Sequence, residues 1–189
     1  MSLFQTLKPK PQGNKSTCLL LDVSGSMGSV VSSEEEGLEP RRIEVLFKAV
    51  RETPQCAGLK AFTFSSNCHP IEVIPSEQEA LNYHVQTSTN LAEAFRTIKA
   101  AGYYSAILVT DGEPDSEMAA IREAYGMKLG IIYIGNPPVP EFLERLAKAT
   151  EGTFQLADMR DLKQLEDAIM RALPPPEPDS NTGGGAINL

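Results

Sequence analysis

Short apolar runs alternate along this chain with segments whose apolar residues recur at three- and four-residue spacing, the patterns of buried strands and of helices that bury one face. Residues 17–21 (TCLLL) read as a strand, and Ile43, Leu46, Phe47 and Val50 lie on one face of a helix. Residues 59–64 (LKAFTF) predict a second strand, and 71–74, after His69 and Pro70, a short third one. Leu91, Ala94, Phe95 and Ile98 mark another helix, which Gly102 stops. The run 105–110 (SAILVT) is a strand, followed by a helix from about Ser116 that carries Ile121 and Ala124 and ends at Gly126. Residues 129–134 (LGIIYI) form the next strand, with Gly135 as its stop, and Phe142, Leu143, Leu146 and Ala147 a helix entered through three prolines. A weak edge strand, 153–156, precedes a last helix in which Asp161 and Gln164 have capping-box spacing ahead of Leu165, Ile169 and Leu173.

Six strands alternate with helices, and the strands lack polar alternation, so both of their faces must be covered. The expected fold is α/β: a doubly wound, mostly parallel, six-stranded sheet with helices on both faces. Ligands of such sheets sit beyond the carboxyl ends of the strands, near the point where strand order reverses.

Those ends carry the chemistry. Asp22-Val23-Ser24-Gly25-Ser26-Met27-Gly28 follows the first strand, Asp111-Gly112-Glu113-Pro114-Asp115 follows the fourth, and Thr87-Ser88-Thr89-Asn90 precedes the helix at Leu91. The spacing of Asp22, Ser24 and Ser26 puts a carboxylate and two hydroxyls on one tight loop. With Thr89 and Asp111 the donors become three neutral hydroxyls and two carboxylates, hard oxygens that suit Mg²⁺ or Mn²⁺, with Ca²⁺ also admissible. These loops hold no His or Cys, which disfavours zinc.

The segments LLLDVSGSMG, TSTNLAEAF and LVTDGEPD resemble, in that order, the metal-ion-dependent adhesion site of von Willebrand factor A (vWA) domains, over residues 16–173. The resemblance implies a Rossmann-like sheet of order 3-2-1-4-5-6 with one antiparallel edge strand. Residue by residue, Asp22, Ser24 and Ser26 match the DxSxS loop, Thr89 the threonine of the second loop and Asp111 the aspartate of the third. It further implies that Ser24, Ser26 and often Thr89 touch the metal, with the aspartates commonly acting through water. Thr87-Ser88 departs from the Gly-Gly that many members have before the threonine. The expected function is that of a metal-dependent adaptor that engages a partner protein's Asp or Glu. Intracellular bacterial members often work beside AAA-type ATPases or stress and toxic-anion resistance systems.

Composition narrows the alternatives. Seventeen basic residues against twenty-five acidic ones leave a net charge of −8 over 189 residues, with no basic stripe to attract a phosphate backbone, so nucleic acid is not expected. No apolar run reaches signal-peptide or membrane-spanning length, which predicts a cytoplasmic protein without a membrane contact. Cys18, Cys56 and Cys68 are an odd set without C-x-x-C spacing, expected as buried thiols. The ends, residues 1–15 and the Pro/Gly-rich 174–189, read as a flexible arm and tail flanking a domain at 16–173.

Enzymatic readings fit less well, and no small-molecule substrate is expected. Ser24 stands where a G-x-S-x-G nucleophile elbow needs glycine, both histidines, His69 and His84, precede Asp111, and a haloacid-dehalogenase-type phosphatase needs an Asp where Ser24 lies. A metal-dependent hydrolase and a metal-free scaffold remain the alternatives. Glu34, Glu35, Glu36 and Glu39 crowd the long connection after the metal loop, as a solvated acidic loop or as a cover for the metal.

Overall fold

The computed structural model describes residues 17–31 and 39–173. The arm, Glu34 to Glu36 and the tail lie outside the described residues. Six strands, β1 (Cys18–Asp22), β2 (Ala61–Phe64), β3 (Cys68–Ile71), β4 (Ser105–Thr110), β5 (Lys128–Tyr133) and β6 (Thr153–Leu156), form one sheet in the order β3-β2-β1-β4-β5-β6. All neighbours pair in parallel except β2 and β3. Strand order therefore reverses between β1 and β4, whose carboxyl ends flank the switch point.

Successive residues of the central strands feed opposite layers, because side chains alternate across a strand. Leu19, Leu21, Ile107, Val109 and Ile132 pack under α1 (Arg42–Glu52), α2 (Glu77–Leu81) and α6 (Leu162–Ala172). Cys18, Leu20, Leu108, Leu129 and Ile131 pack under α3 (Leu91–Ala100), α4 (Glu117–Ala124) and α5 (Glu141–Ala149). All three cysteines are buried and unpaired by disulfides. Among the described residues, no helix is long and apolar enough to cross a membrane.

Three expectations need correction, and one helix goes unforeseen. The third strand is Cys68–Ile71, not 71–74, and takes in His69 and Pro70: as an antiparallel edge it needs ladder bonds on one side only, so proline is tolerated there. In α4 the inward face is Ala120 and Ala124, small enough to sit close to α3, while Ile121 is turned toward solvent. The capping box at α6 is half made: Asp161 accepts from the Gln164 amide at 3.1 Å, but the Gln164 side chain accepts from the Asp158 amide instead. A complete box, Ser76 with Glu79, starts α2, a short helix that the apolar periodicity does not reveal.

Candidate metal centre

Asp22 is the last residue of β1, so its carboxylate is placed by the sheet itself. Beyond it the chain turns through a single 3₁₀ turn, Gly25–Gly28, pinned by the fully buried Met27. The second loop is laid beside the first by backbone pairing: Ser24 bridges to Gln86, and the Gln86 amide donates to the Val23 carbonyl at 3.2 Å. Gly25 eases this approach, since a Cβ there would lie a tight 3.3 Å from the Gln86 carbonyl oxygen.

A chain of oxygens joins β1 to β4. Asp22 Oδ1 accepts from the Ser24 amide at 2.8 Å, and Oδ2 accepts from the Thr110 hydroxyl at 2.5 Å. The Ser24 and Ser26 hydroxyl oxygens are 3.2 Å apart, and Ser26 Oγ donates to Asp111 Oδ1 at 2.6 Å. The other oxygen of Asp111, Oδ2, accepts from Arg42 Nη1 at 2.5 Å. Asp22 is fully buried, and burial pushes its carboxyl up to about 6, against the hydrogen bonds from Thr110 and Ser24, with the charge of Asp111 adding to the rise. Ser26, by contrast, is exposed, so the oxygens open to solvent at its hydroxyl.

Thr89 is held differently. Its amide donates to Asp115 Oδ1 at 3.1 Å, its carbonyl accepts from the Asp115 amide at 3.0 Å, and Ser88 Oγ donates to Asp115 Oδ2 at 2.6 Å. Asn90 caps α3 by accepting from the Glu93 amide. Of the five residues singled out in the sequence, the structure links Asp22, Ser24, Ser26 and Asp111 by hydrogen bonds and brings Thr89 to the adjoining loop, without a hydrogen bond to the other four. Ser88 and Asp115 do the work of clamping the second loop to the third, at the position where the sequence departs from Gly-Gly.

The donors fit a small divalent ion. Adjacent ligands of an octahedron at 2.0–2.1 Å are about 2.9 Å apart, and the spacings of 3.2 Å and 2.6 Å from Ser24 through Ser26 to Asp111 bracket that value. Among the described residues, no three His, Cys, Asp or Glu side chains gather as a metal site. A metal held here would take its remaining ligands from hydroxyls, a donor set that suits Mg²⁺ or Mn²⁺ rather than a thiolate- or imidazole-seeking ion.

Three participants escape the sequence reading. Thr110 is signalled only as a polar residue closing an apolar strand, and Asp115 only as an acid in a turn. Arg42 carries no local signal except that a cation at the first position of a helix opposes the helix dipole. Beside Arg42 runs a groove of about 510 Å³, lined also by Val30, Tyr133, Val139, Leu156 and Arg160.

No protein-family model and no curated protein matches the chain. Solved structures do. The manganese-loaded TRAP protein of Plasmodium vivax superposes with a TM-score of 0.53 at 18% identity, over 82% of this chain and 72% of that one. A von Willebrand factor type A protein from Catenulispora acidiphila gives 0.56 at 18% identity, over 83% of this chain and 42% of that one. The chain thus spans less than half the length of the second neighbour. Topology and likeness agree on the architecture: this chain has the vWA-like α/β fold, with a six-stranded mixed sheet of order 3-2-1-4-5-6.

Proposed function

We propose that the chain is a divalent-metal-dependent protein-binding module, an adaptor in which Asp22, Ser24, Ser26, Thr89 and Asp111 hold Mg²⁺ or Mn²⁺. The reading is carried by the run of oxygens from Ser24 through Ser26 to Asp111, spaced for octahedral coordination at the switch point of the sheet. The manganese-loaded neighbour of the same fold supports it.

When bound, the cation supplies an electrophilic centre with a coordination position open to a carboxylate. The chain's own residues prepare that position. Ser24 and Ser26 are neutral donors that add nothing to the negative charge of Asp22 and Asp111. Asp22 ties the loop to β4 through Thr110, and the Ser88–Asp115 clamp sets the path of the second loop. The partner in this reading is another protein presenting an Asp or Glu, with the neighbouring groove receiving its flanking residues. From the resemblance, an AAA-type ATPase or a toxic-anion resistance assembly in the cytoplasm is the setting we favour.

Thermal denaturation with Mg²⁺ or Mn²⁺ tests the site. Saturating metal at about 100 times Kd stabilises a specific site by roughly 2.7 kcal/mol, a rise of several degrees in Tm. Asp111→Ala and Asp22→Ala are expected to abolish that rise, and a pull-down from the source cell is expected to lose its partner in EDTA. No metal-induced rise in the wild type would point instead to a metal-free scaffold. Metal-dependent turnover of p-nitrophenyl phosphate that Ser24→Ala abolishes would point to a hydrolase.

A further inference from the structure

We propose that Arg42 is a built-in cation that competes with the divalent ion for Asp111, so that the wild-type chain binds metal more weakly than its oxygen donors alone would allow. This rests on the metal-binding reading above.

Arg42 is the first residue of α1, and its Nη1 lies 2.5 Å from Asp111 Oδ2. The Asp111 side chain is wholly covered and that of Arg42 is 14% exposed, so the pair is shielded from water and from salt. Helix stability does not account for a guanidinium here, since a cation at a helix N-terminus is unfavourable. Packing accounts for its neighbour instead: Arg41 is tied to Glu44 and to the carbonyls of Ala80, Leu81 and Tyr83, and so fastens α1 to the end of α2. Arg42 has Asp111 as its side-chain partner. The phenol of Tyr133 lines the same groove as Arg42 and feels the charges of Asp111, Arg42 and Glu113 together.

The two oxygens of Asp111 divide the site, with Oδ1 facing Ser26 and Oδ2 facing Arg42. A dication at the serine hydroxyls is therefore set against a guanidinium on the same carboxylate. If the guanidinium stays, the two cations repel at close range in a poorly screened setting. If it swings into the groove it lines, a buried ion pair is lost. Both routes lower metal affinity, and both are removed when the side chain loses its charge.

The test is Mn²⁺ binding, read by calorimetry and by the electron paramagnetic resonance of free Mn²⁺, for wild type, Arg42→Gln and Arg42→Lys, with circular dichroism as the folding check. Arg42→Gln is expected to lower Kd for Mn²⁺ by about tenfold or more, while Arg42→Lys, which keeps the charge, stays within about threefold of wild type. If Arg42→Gln is too unstable to fold alone, Mn²⁺ is expected to restore its fold, because the ion replaces the missing cation. Wild type binding Mn²⁺ with Arg42→Gln equal or weaker overturns the role of Arg42 and leaves the metal site standing. A failure of Mn²⁺ to refold an unfolded Arg42→Gln also overturns it. Absence of binding in all three chains overturns the site reading and this inference with it, whereas binding by Arg42→Gln alone supports both.

Discussion

At the scale of single residues, Asp22 shows what burying a carboxylate costs. Its carboxylate is buried at the end of β1 and its pKa is raised from 3.8 to about 6, with desolvation the largest cause. A raised value means that the folded chain holds this proton more tightly than the unfolded chain. Its contribution to stability is thus fully present below about pH 4 and is lost as pH rises through about 6. At pH 7, in EDTA, the charged carboxylate costs up to roughly 3 kcal/mol. Asp22→Asn is therefore expected to gain stability over wild type in EDTA, by an amount that grows between pH 4 and pH 7. If Asp22 helps to hold Mg²⁺ as proposed, excess Mg²⁺ is expected to reverse the order, since the variant has lost the carboxylate charge. Thermal melts of both proteins across that range check this, and a difference independent of pH would show that desolvation of Asp22 is not the source. Asp22 itself was legible in the sequence from its place after an apolar run. Its bond to Thr110, 88 residues away, was not, because nothing in the local pattern of either strand specifies which strands lie side by side.

At the scale of elements, the site depends on how tightly strand ends and their turns approach one another. Gly135, read from the sequence as a strand stop, has a more specific role: a Cβ at this position would overlap the Asp111 carbonyl oxygen and the Tyr133 hydroxyl. Gly135→Ala is expected to cost about 1–3 kcal/mol and to weaken Mn²⁺ binding, because relief of the overlap must move the backbone of Asp111. Gly112→Ala, one residue from the same aspartate but with nothing within 4 Å of the added methyl, is the control, expected to stay within about 0.5 kcal/mol of wild type. Denaturant melts and Mn²⁺ calorimetry on the pair separate crowding at Asp111 from a general effect of adding a methyl. The same reasoning accounts for the misplaced third strand. Its apolar residues, Ile71 and Ile74, do pack against the α1 layer, but hydrogen-bond pairing with β2 selects Cys68–Ile71 as the strand.

At the scale of the molecule, two apolar layers share one sheet, and the cysteines report on both. Cys18 and Cys68 lie in the layer with α3 to α5, and Cys56 in the layer with α1, α2 and α6. Burial pushes the Cys18 and Cys68 thiols up to about 12 and Cys56 up to about 11, so very little reactive thiolate is present at neutral pH. Because the central strands contribute alternate residues to the two layers, neither layer can separate without breaking the sheet. Labelling by a thiol reagent is therefore expected to be slow in the native protein, and all three cysteines are expected to become reactive at one denaturant midpoint, coincident with the loss of circular dichroism. Earlier labelling of Cys56 alone would mean that the α1, α2 and α6 layer opens independently.

Legible along the chain were the alternation of strands and helices, the coverage of both sheet faces and the placing of short oxygen side chains after β1 and β4. These are local consequences of period, turn chemistry and residue type, and they survive in any packing that buries the apolar runs. Which oxygens meet depends on the packing of distant segments. That packing places Thr110 on Asp22, clamps the second loop with Asp115, turns Ile121 outward and sets Arg42 against Asp111 across 69 residues. Contacts at that separation follow from strand order and helix docking, which depend on the summed burial of the whole chain rather than on the pattern of any one segment.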